Sequence, residues 1–162
     1  MAIARQYRVG ILGTGFIADW HIKALRSVRE ATVTAVCDMN AERAKRFSEK
    51  NRIPSVLGAL DELIDSKKCD VVHVLLPAEA HYRAARSLLE AGLHSFVEKP
   101  LCLTAEECTS LSELAEHRGV QVGVSHNFLF AENYERLRND VAQGILGRLD
   151  HLDIQWSKEL GL

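Results

Sequence analysis

Short apolar runs rich in β-branched residues alternate with segments of helical periodicity over residues 8–123. The first run, 9–12, is continuously apolar, as a strand buried on both faces is. Strands that alternate with helices build a parallel sheet, because each helix carries the chain back to begin the next strand in the same direction. Six such strands predict an α/β fold, a doubly wound parallel sheet with strand order 3-2-1-4-5-6.

Local signals place the individual elements. Strands are predicted at 8–12, 32–37, 54–57, 70–76, 94–97 and 120–124, and helices at 15–28, 40–51, 60–64, 79–91 and 104–119. Asn40 is a favoured N-cap residue for its helix. Thr104, with Glu107 three residues later, predicts a capping box.

After residue 124 the alternation gives way to one predicted helix, 131–143, a Gly-x-x-Gly turn and a strand over 148–156. Leu152, Ile154 and Trp156 alternate with polar residues there, so one strand face needs an apolar layer that the few following residues do not supply. We therefore predict a first domain over 1–124. Residues 125–162 are expected to form a linking helix and the first strand of a second domain that is largely absent.

Composition and charge argue against several classes of protein. A formal net charge of −2 over 162 residues provides no basic field for a phosphate backbone, so nucleic acid is not an expected partner. Apolar runs stay well short of the roughly 18 residues that a membrane span needs, so no membrane is expected either. The 4 cysteines form no C-x-x-C pair, which favours a reduced, cytoplasmic location and no metal site.

The segment 13–18 has a G-x-G-x-x-A pattern that directly follows the first strand and opens the first helix. Gly13 permits a tight turn, and Gly15 lets the backbone approach a diphosphate. N–H groups at the helix start, near Phe16 and Ile17, can then bind phosphate oxygens together with the helix dipole. A glycine-rich turn needed only for packing gives the same letters, but the strand–turn–helix context favours a dinucleotide-binding Rossmann fold.

Asp38 ends the second strand, about 20 residues after the last position of this pattern. An acidic side chain there accepts hydrogen bonds from an adenosine ribose and repels a 2′-phosphate, so NAD is the expected cofactor and NADP the less favoured one. A turn or cap residue is the alternative interpretation of Asp38 taken alone. Arg43 could offset this charge, but its position predicts a solvated helical face.

Glu98, Lys99 and Pro100 follow the fifth predicted strand, at the carboxyl edge of the sheet, where doubly wound folds bind ligands. The Lys99 ammonium can orient a substrate oxygen and stabilise charge that develops on it during hydride transfer. A lysine without such placement is an ordinary surface residue. We predict Lys99 as a catalytic residue and Glu98 as a cofactor-binding residue, with the cis or trans state of the Lys99–Pro100 bond left open.

Further polar residues fall near the same edge. Pro77 closes the fourth strand and His81 lies in the first turn after it; His81 either contacts the cofactor or packs within its helix. Asn127 follows the sixth strand and is a cofactor-binding candidate, because its amide both donates and accepts. His21 is expected to pack beneath the dinucleotide loop, and His73 to be structural and hydrogen-bonded.

Over about residues 8–156 the sequence resembles the Gfo/Idh/MocA oxidoreductases. The resemblance rests on 9–18 with His21, on Cys37 and Asp38, on Pro77 with His81, and on 90–94 leading into Glu98, Lys99 and Pro100. It implies a two-domain enzyme whose N-terminal Rossmann domain binds NAD or NADP. The implied C-terminal α/β domain binds sugars or polyols and often forms the oligomer interface.

By the same resemblance, Lys99 contacts the substrate. Two departures from the family pattern stand out. Leu129 and Phe130 stand where members often carry an Arg-Phe pair after the sixth strand. The Asp and His of the family's acid/base pair belong to the second domain, and this sequence stops before them.

The sequence therefore predicts the NAD(P)-binding part of a dehydrogenase that transfers a hydride between nicotinamide and a sugar or polyol, without competence for catalysis by itself. The rival interpretation is a non-catalytic dinucleotide-binding or sensing module that acts by oligomerising or binding a partner. An uncovered apolar strand face over 148–156 would serve a homo-oligomer. The identity of the substrate stays open.

Overall fold

The computed structural model of the protein describes residues 5–155. The chain divides into two compact units, one ending at Ser125 and the other beginning at His126. None of the helices described within residues 5–155 combines the length and the apolar character that crossing a membrane requires. The first unit contains the whole sheet, and with it the glycine-rich segment and Asp38.

Six parallel strands form one sheet in the first unit, in the order β3-β2-β1-β4-β5-β6. They are β1 (Tyr7–Leu12), β2 (Ala31–Cys37), β3 (Ser55–Leu57), β4 (Val71–Val74), β5 (His94–Val97) and β6 (Val122–Val124). The predicted doubly wound α/β fold and its strand order are confirmed. The winding reverses between the neighbouring strands β1 and β4, which opens a crevice at their carboxyl ends.

The helices that connect the strands are α1 (Ala18–Leu25), α2 (Ala41–Asn51), α3 (Leu60–Asp65), α4 (Ala78–Glu90) and α5 (Ala105–Arg118). Four of them lie close to the predicted ranges, but α1 is shorter at both ends than the predicted 15–28. Residues 15–17 form a bend and a turn instead of helix. The glycine-rich loop is therefore longer than the sequence pattern indicated.

Both helix caps predicted from the sequence are present, one of them in altered form. The Asn40 side chain accepts a hydrogen bond from the N–H of Arg43 at 2.9 Å, as an N-cap does. Thr104 accepts from the N–H of Glu107 at 3.2 Å. The Glu107 carboxylate accepts from the N–H of Leu103 rather than that of Thr104, so only half of the capping box forms.

Helices cover both faces of the sheet at β1, which explains why that strand is continuously apolar over residues 9–12. On one face, Val9, Ile11 and Val36 pack against α1 and α2. On the other face, Val72 and Val74 pack against α4 and α5. Alternate residues of β1, β2 and β4 thus enter two separate apolar layers, and the carboxyl ends of the strands are left to form the crevice.

The second unit begins with a 3-10 turn, Asn127–Phe130, followed by α6 (Glu132–Ala142). This helix lies within the predicted range 131–143. The Gly-x-x-Gly segment follows as a turn in which Gly144 and Gly147 have φ values of 71° and 64°. Those left-handed conformations favour glycine, which accounts for the residue type at both positions.

The strand predicted over 148–156 is absent from residues 148–155, and Trp156 lies outside the described residues. A strand needs a neighbour that completes its ladder of N–H and C=O hydrogen bonds. The described part of the second unit offers no other strand as that neighbour. Leu152 and Ile154 are accordingly 50% and 71% exposed.

Candidate functional site

The carboxyl ends of β1, β2 and β4 border a cavity of about 880 Å³. Doubly wound sheets bind ligands at this edge, and the volume suits a small organic molecule. Among the residues predicted to bind the cofactor, the lining contains Gly13, Gly15, Phe16, Ile17, Asp38 and Pro77. One cavity therefore brings together the glycine-rich loop, the end of β2 and the segment after β4.

Gly13 makes the turn that closes β1. Its φ is +94°, and a Cβ at this position would lie 2.7 Å from the carbonyl oxygen of Leu75. Its N–H donates to the carbonyl of Cys37 at 2.8 Å. Gly13 is thus confined between the ends of two neighbouring strands, and only a residue without a side chain fits there.

Gly15 has the opposite surroundings. A Cβ built at this position meets no atom within 4 Å, and the residue lines the cavity. The N-cap residue of α1, Ile17, makes no side-chain cap hydrogen bond. Gly15, Phe16 and the N-cap residue Ile17 all line the cavity, so the start of α1 borders it, which is the arrangement that binds a phosphate at a helix N-terminus.

Asp38 is 5% exposed, and its carboxylate accepts five hydrogen bonds. The N–H and the hydroxyl of Thr14 donate to Oδ2, both at 2.8 Å. The N–H of Asn40 donates to Oδ1 at 2.9 Å. Arg43 donates to both oxygens, at 3.0 and 2.8 Å.

These contacts fix the charge of Asp38. Burial by itself raises the pKa of the carboxyl group, but hydrogen bonds from Arg43, Thr14 and Asn40 outweigh burial and hold the pKa well below its usual range. Arg43 is exposed, as a solvated helical face implies, but its half-exposed guanidinium is also paired with Asp38, so Arg43 offsets the charge of that carboxylate. The N-cap at Asn40 places Arg43 in the first turn of α2, close to the end of β2.

Glu98, Lys99 and Pro100 follow β5, and the Lys99–Pro100 peptide bond is cis. Lys99 is exposed, whereas the side chain of Glu98 is only 14% exposed. Burial by itself raises the pKa of Glu98, but hydrogen bonds from His21, Ser125 and the N–H of Lys99 lower it below its usual value. None of the three residues 98–100 lines the cavity, so the roles predicted for Glu98 and Lys99 remain predictions.

His81 is 1% exposed and does not line the cavity. Its Nδ1 lies 2.7 Å from the carbonyl oxygen of Pro100, and its Nε2 lies 2.7 Å from that of Leu76. This geometry matches the packing alternative weighed for His81. Asn127 belongs to the second unit, where it is exposed at the start of the 3-10 turn, and its contact with a cofactor remains a prediction.

His21 is 9% exposed, and it joins two polar groups that the sequence did not connect. Its packing beneath the dinucleotide loop remains a prediction. Its Nε2 lies 2.9 Å from Oε1 of Glu98, and its Nδ1 lies 2.9 Å from Nδ1 of His73. His73 is therefore hydrogen-bonded, as predicted. Burial, and then the proximity of His21, lower the pKa of His73 to about 4, so His73 is neutral near pH 7.

A doubly wound parallel sheet with this glycine-rich turn and an anionic side chain in one crevice defines a dinucleotide-binding Rossmann domain. The model of an oxidoreductase family with an NAD-binding Rossmann fold, Gfo/Idh/MocA, matches residues 7–126, and the chain belongs to that family. The predicted family, fold and NAD cofactor are thereby confirmed.

Named relatives agree with this assignment. The chain is 35% identical over 145 residues to an inositol 2-dehydrogenase/D-chiro-inositol 3-dehydrogenase of Shouchella clausii (strain KSM-K16), covering 86% of this chain and 41% of the relative. It is 32% identical over 143 residues to the D-glucoside 3-dehydrogenase of Escherichia coli (strain K12), covering 88% and 41%. The chain spans about two fifths of the length of the curated relatives it matches.

Among solved structures, the fold is similar to that of the WlbA dehydrogenase from Bordetella pertussis, solved in complex with NADH and UDP-GlcNAcA. The TM-score is 0.84 at 23% identity, covering 89% of this chain and 44% of that one. At 23% identity this structural similarity is evidence for the fold of the chain alone.

Proposed function

We propose that the cavity binds NAD with its adenosine ribose at Asp38 and its diphosphate over Gly15 and the N-terminus of α1. The nicotinamide then points past Pro77 towards Lys99. One observation carries the proposal: the buried, ionised Asp38 and the open space at Gly15 line the same cavity. The first feature suits a ribose and the second suits a diphosphate.

Ribose binding at Asp38 requires a change of partners. A carboxylate has about four lone-pair sites, and in this structure Asp38 already accepts five hydrogen bonds. Arg43, whose side chain is half exposed, is the donor that can leave into solvent, while Thr14 and Asn40 keep the carboxylate in place. A 2′-phosphate would put a second anion beside Asp38, so the same site favours NAD over NADP.

We further propose that the parent reaction is reversible hydride transfer between nicotinamide and a hydroxyl-bearing carbon of a sugar or polyol. Bound NAD supplies the hydride acceptor. Lys99 donates a hydrogen bond to the substrate oxygen and stabilises the negative charge that develops on it. The names of the relatives, an inositol dehydrogenase and a glucoside dehydrogenase, support this substrate class. We assign no residue of this chain to proton removal from the hydroxyl.

We also propose that residues 1–124 are the cofactor domain and that 125–162 lead into a substrate domain. The division after Ser125 and the end of the family match at residue 126 support this boundary. The exposed Leu152 and Ile154 support a contact with further protein, either that domain or a second copy of the chain. Four free thiols support a reducing, cytoplasmic environment.

Calorimetric titration of the full chain tests the cofactor site. We expect NADH to bind and NADPH to bind at least about tenfold more weakly, because of the charge at Asp38. Asp38→Ala should reduce this preference for NADH over NADPH to about threefold or less, whereas Asp65→Ala, at an exposed carboxylate of α3, should leave the preference unchanged. A folded chain that gives no heat with either cofactor overturns the proposal.

Absorbance at 340 nm with NAD and inositol or a glucoside tests the reaction. We expect no NADH formation by this chain, because none of its residues is assigned to the proton step. Sustained turnover would show that a residue of this chain removes the proton from the hydroxyl.

A further inference from the structure

Buried histidines hold the residues on both sides of Lys99. Glu98, before it, is bonded to His21 of α1, and Pro100, after it, is bonded to His81 of α4. The two histidines are 9% and 1% exposed. Lys99 itself is exposed between two fixed neighbours.

The contact on the Glu98 side reaches the cofactor helix. His21 lies in the first turns of α1, the helix whose N-terminus opens into the cavity. Its Nε2 is 2.9 Å from Oε1 of Glu98, and Oε2 of the same carboxylate accepts the N–H of Lys99 at 3.2 Å. Two hydrogen bonds through one carboxylate therefore connect α1 to the backbone of Lys99.

The hydrogen-bonding roles along this connection follow from chemistry. The ionised Glu98 only accepts, so Nε2 of His21 must carry a proton. His73 is neutral near pH 7, and its Nδ1–H can donate to the remaining nitrogen of His21. In the tautomer with the proton on Nδ1, His73 donates to His21 and supports the His21 tautomer that holds Glu98.

The contact on the Pro100 side reaches the end of β4. His81 lies between two carbonyl oxygens, those of Leu76 and Pro100, each at 2.7 Å. Leu76 lines the cavity and precedes Pro77. Carbonyl oxygens only accept, so the ring nitrogen that binds Pro100 must carry a proton, and in that state His81 ties the segment that contains Lys99 to the wall of the cavity.

We propose that His21 and His81 are positioning residues for Lys99, which hold its two neighbours to the cofactor helix and to the end of β4. A lysine side chain is long and flexible, so its reach is set mainly by where its backbone is fixed. Both contacts join Lys99 to elements that border the cofactor cavity, rather than to distant parts of the core. The inference rests on the proposed function only for the role of Lys99 towards substrate and nicotinamide.

Amide hydrogen exchange of the cofactor-free, ¹⁵N-labelled chain tests the His21 contact. In His21→Ala the N–H of Lys99 should exchange at least about tenfold faster, after correction for global stability, because its acceptor is released. His21→Gln keeps an N–H donor for Glu98 and should restore exchange to within about threefold of wild type. His117→Asn, at an exposed histidine of α5, is the control and should change nothing. Wild-type exchange in His21→Ala overturns the His21 part of the proposal.

Two amide variants separate the contacts of His81. Asparagine keeps a donor near the position of Nδ1, which faces Pro100, and glutamine keeps one near Nε2, which faces Leu76. Lys99 exchange should stay close to wild type in His81→Asn and rise by about fivefold or more in His81→Gln. Equal exchange in the two variants contradicts the role given to the Pro100 contact.

The affinities of two ligands distinguish the positioning of Lys99 from a general loss of packing. NADH reaches the nicotinamide end of the cavity, whereas ADP-ribose lacks the nicotinamide and does not. His21→Ala should therefore weaken the binding of NADH by about fivefold and the binding of ADP-ribose by less than twofold. Equal weakening of both ligands refutes positioning at Lys99. Absence of NADH binding in the wild type instead refutes the proposed function, and hydrogen exchange still decides the inference.

One measurement needs no variant, in case the substitutions prevent folding. Long-range ¹H–¹⁵N spectra of the wild-type chain should show His21 with a proton on Nε2 near pH 7. His21 with Nε2 unprotonated beside Glu98 overturns the proposal.

Discussion

Replacing Gly15 by alanine separates cofactor binding from folding. The new methyl group meets no atom within 4 Å, and the backbone at Gly15 is not left-handed. The free energy of unfolding should therefore change by no more than about 0.5 kcal/mol. The same methyl enters the space proposed for the diphosphate, and each charge-assisted hydrogen bond lost there costs about 1.5–3 kcal/mol. Calorimetry should show NADH binding weakened by about 10- to 100-fold.

Gly13→Ala is the matched contrast within the same loop. Here the methyl lies 2.7 Å from the carbonyl oxygen of Leu75, and the backbone has a φ of +94°. The left-handed conformation alone costs about 1–2 kcal/mol, and displacing a backbone carbonyl adds to it, so we expect a loss of about 3 kcal/mol in the free energy of unfolding. Denaturant titration followed by circular dichroism measures both variants.

The two outcomes refute different steps of the reasoning. A folded Gly15→Ala chain that binds NADH as wild type does would mean that the diphosphate does not lie over Gly15, and that the loop serves packing alone. An unfolded Gly15→Ala chain would mean that the space seen at Gly15 is not open in solution. A Gly13→Ala chain of wild-type stability would contradict the close approach to Leu75.

Three further predictions concern single side chains. Arg43→Ala should leave NADH binding unchanged or up to about fivefold tighter in calorimetry, because the ribose no longer displaces a guanidinium from Asp38. The pKa of His73 is about 4 in the folded chain, against an ordinary value of 6.5. Between pH 4 and pH 6.5 the unfolded state therefore binds more protons than the folded state does. The free energy of unfolding should therefore fall by about 3 kcal/mol as the pH drops from 6.5 to 4, and His73→Asn should flatten this part of a pH series of denaturant titrations. Among the side chains of residues 5–155, only the Ser95 hydroxyl is a buried polar group without a hydrogen-bond partner, so Ser95→Ala should raise the unfolding free energy by about 1 kcal/mol.

The fold was predictable because its signals are local and mutually consistent. Each strand is marked by its own apolar run, and the turn at Gly13 and Gly15 identifies which strand begins the nucleotide-binding unit. The strand over 148–156 was predicted from the same kind of pattern and is absent from residues 148–155. Alternation describes which face a strand would bury, but a strand forms only against a partner, and the pattern carries no information on the partner.

The site was predictable only where spacing along the chain implies contact. Asp38 follows from its distance to the glycine pattern, because consecutive βαβ units fix the relation of β1 to β2. The contact of His21 with Glu98 joins residues 77 positions apart and depends on how α1 packs on the sheet. Arg43 is closer to its partner, yet helical periodicity assigns a face and not the direction of a flexible guanidinium.

The arrangement at Asp38 separates selectivity for the cofactor from affinity. When Arg43 leaves and a ribose arrives, two charge-assisted hydrogen bonds are exchanged for two others, and the donors from Thr14 and Asn40 stay in place. Such an exchange contributes little net free energy, since both states satisfy the same carboxylate oxygens. Affinity must then come from the diphosphate at Gly15 and from the apolar walls, while Asp38 sets the penalty for a 2′-phosphate. Loss of Asp38 should therefore bring NADPH binding closer to NADH binding, whereas Gly15→Ala should weaken both cofactors alike.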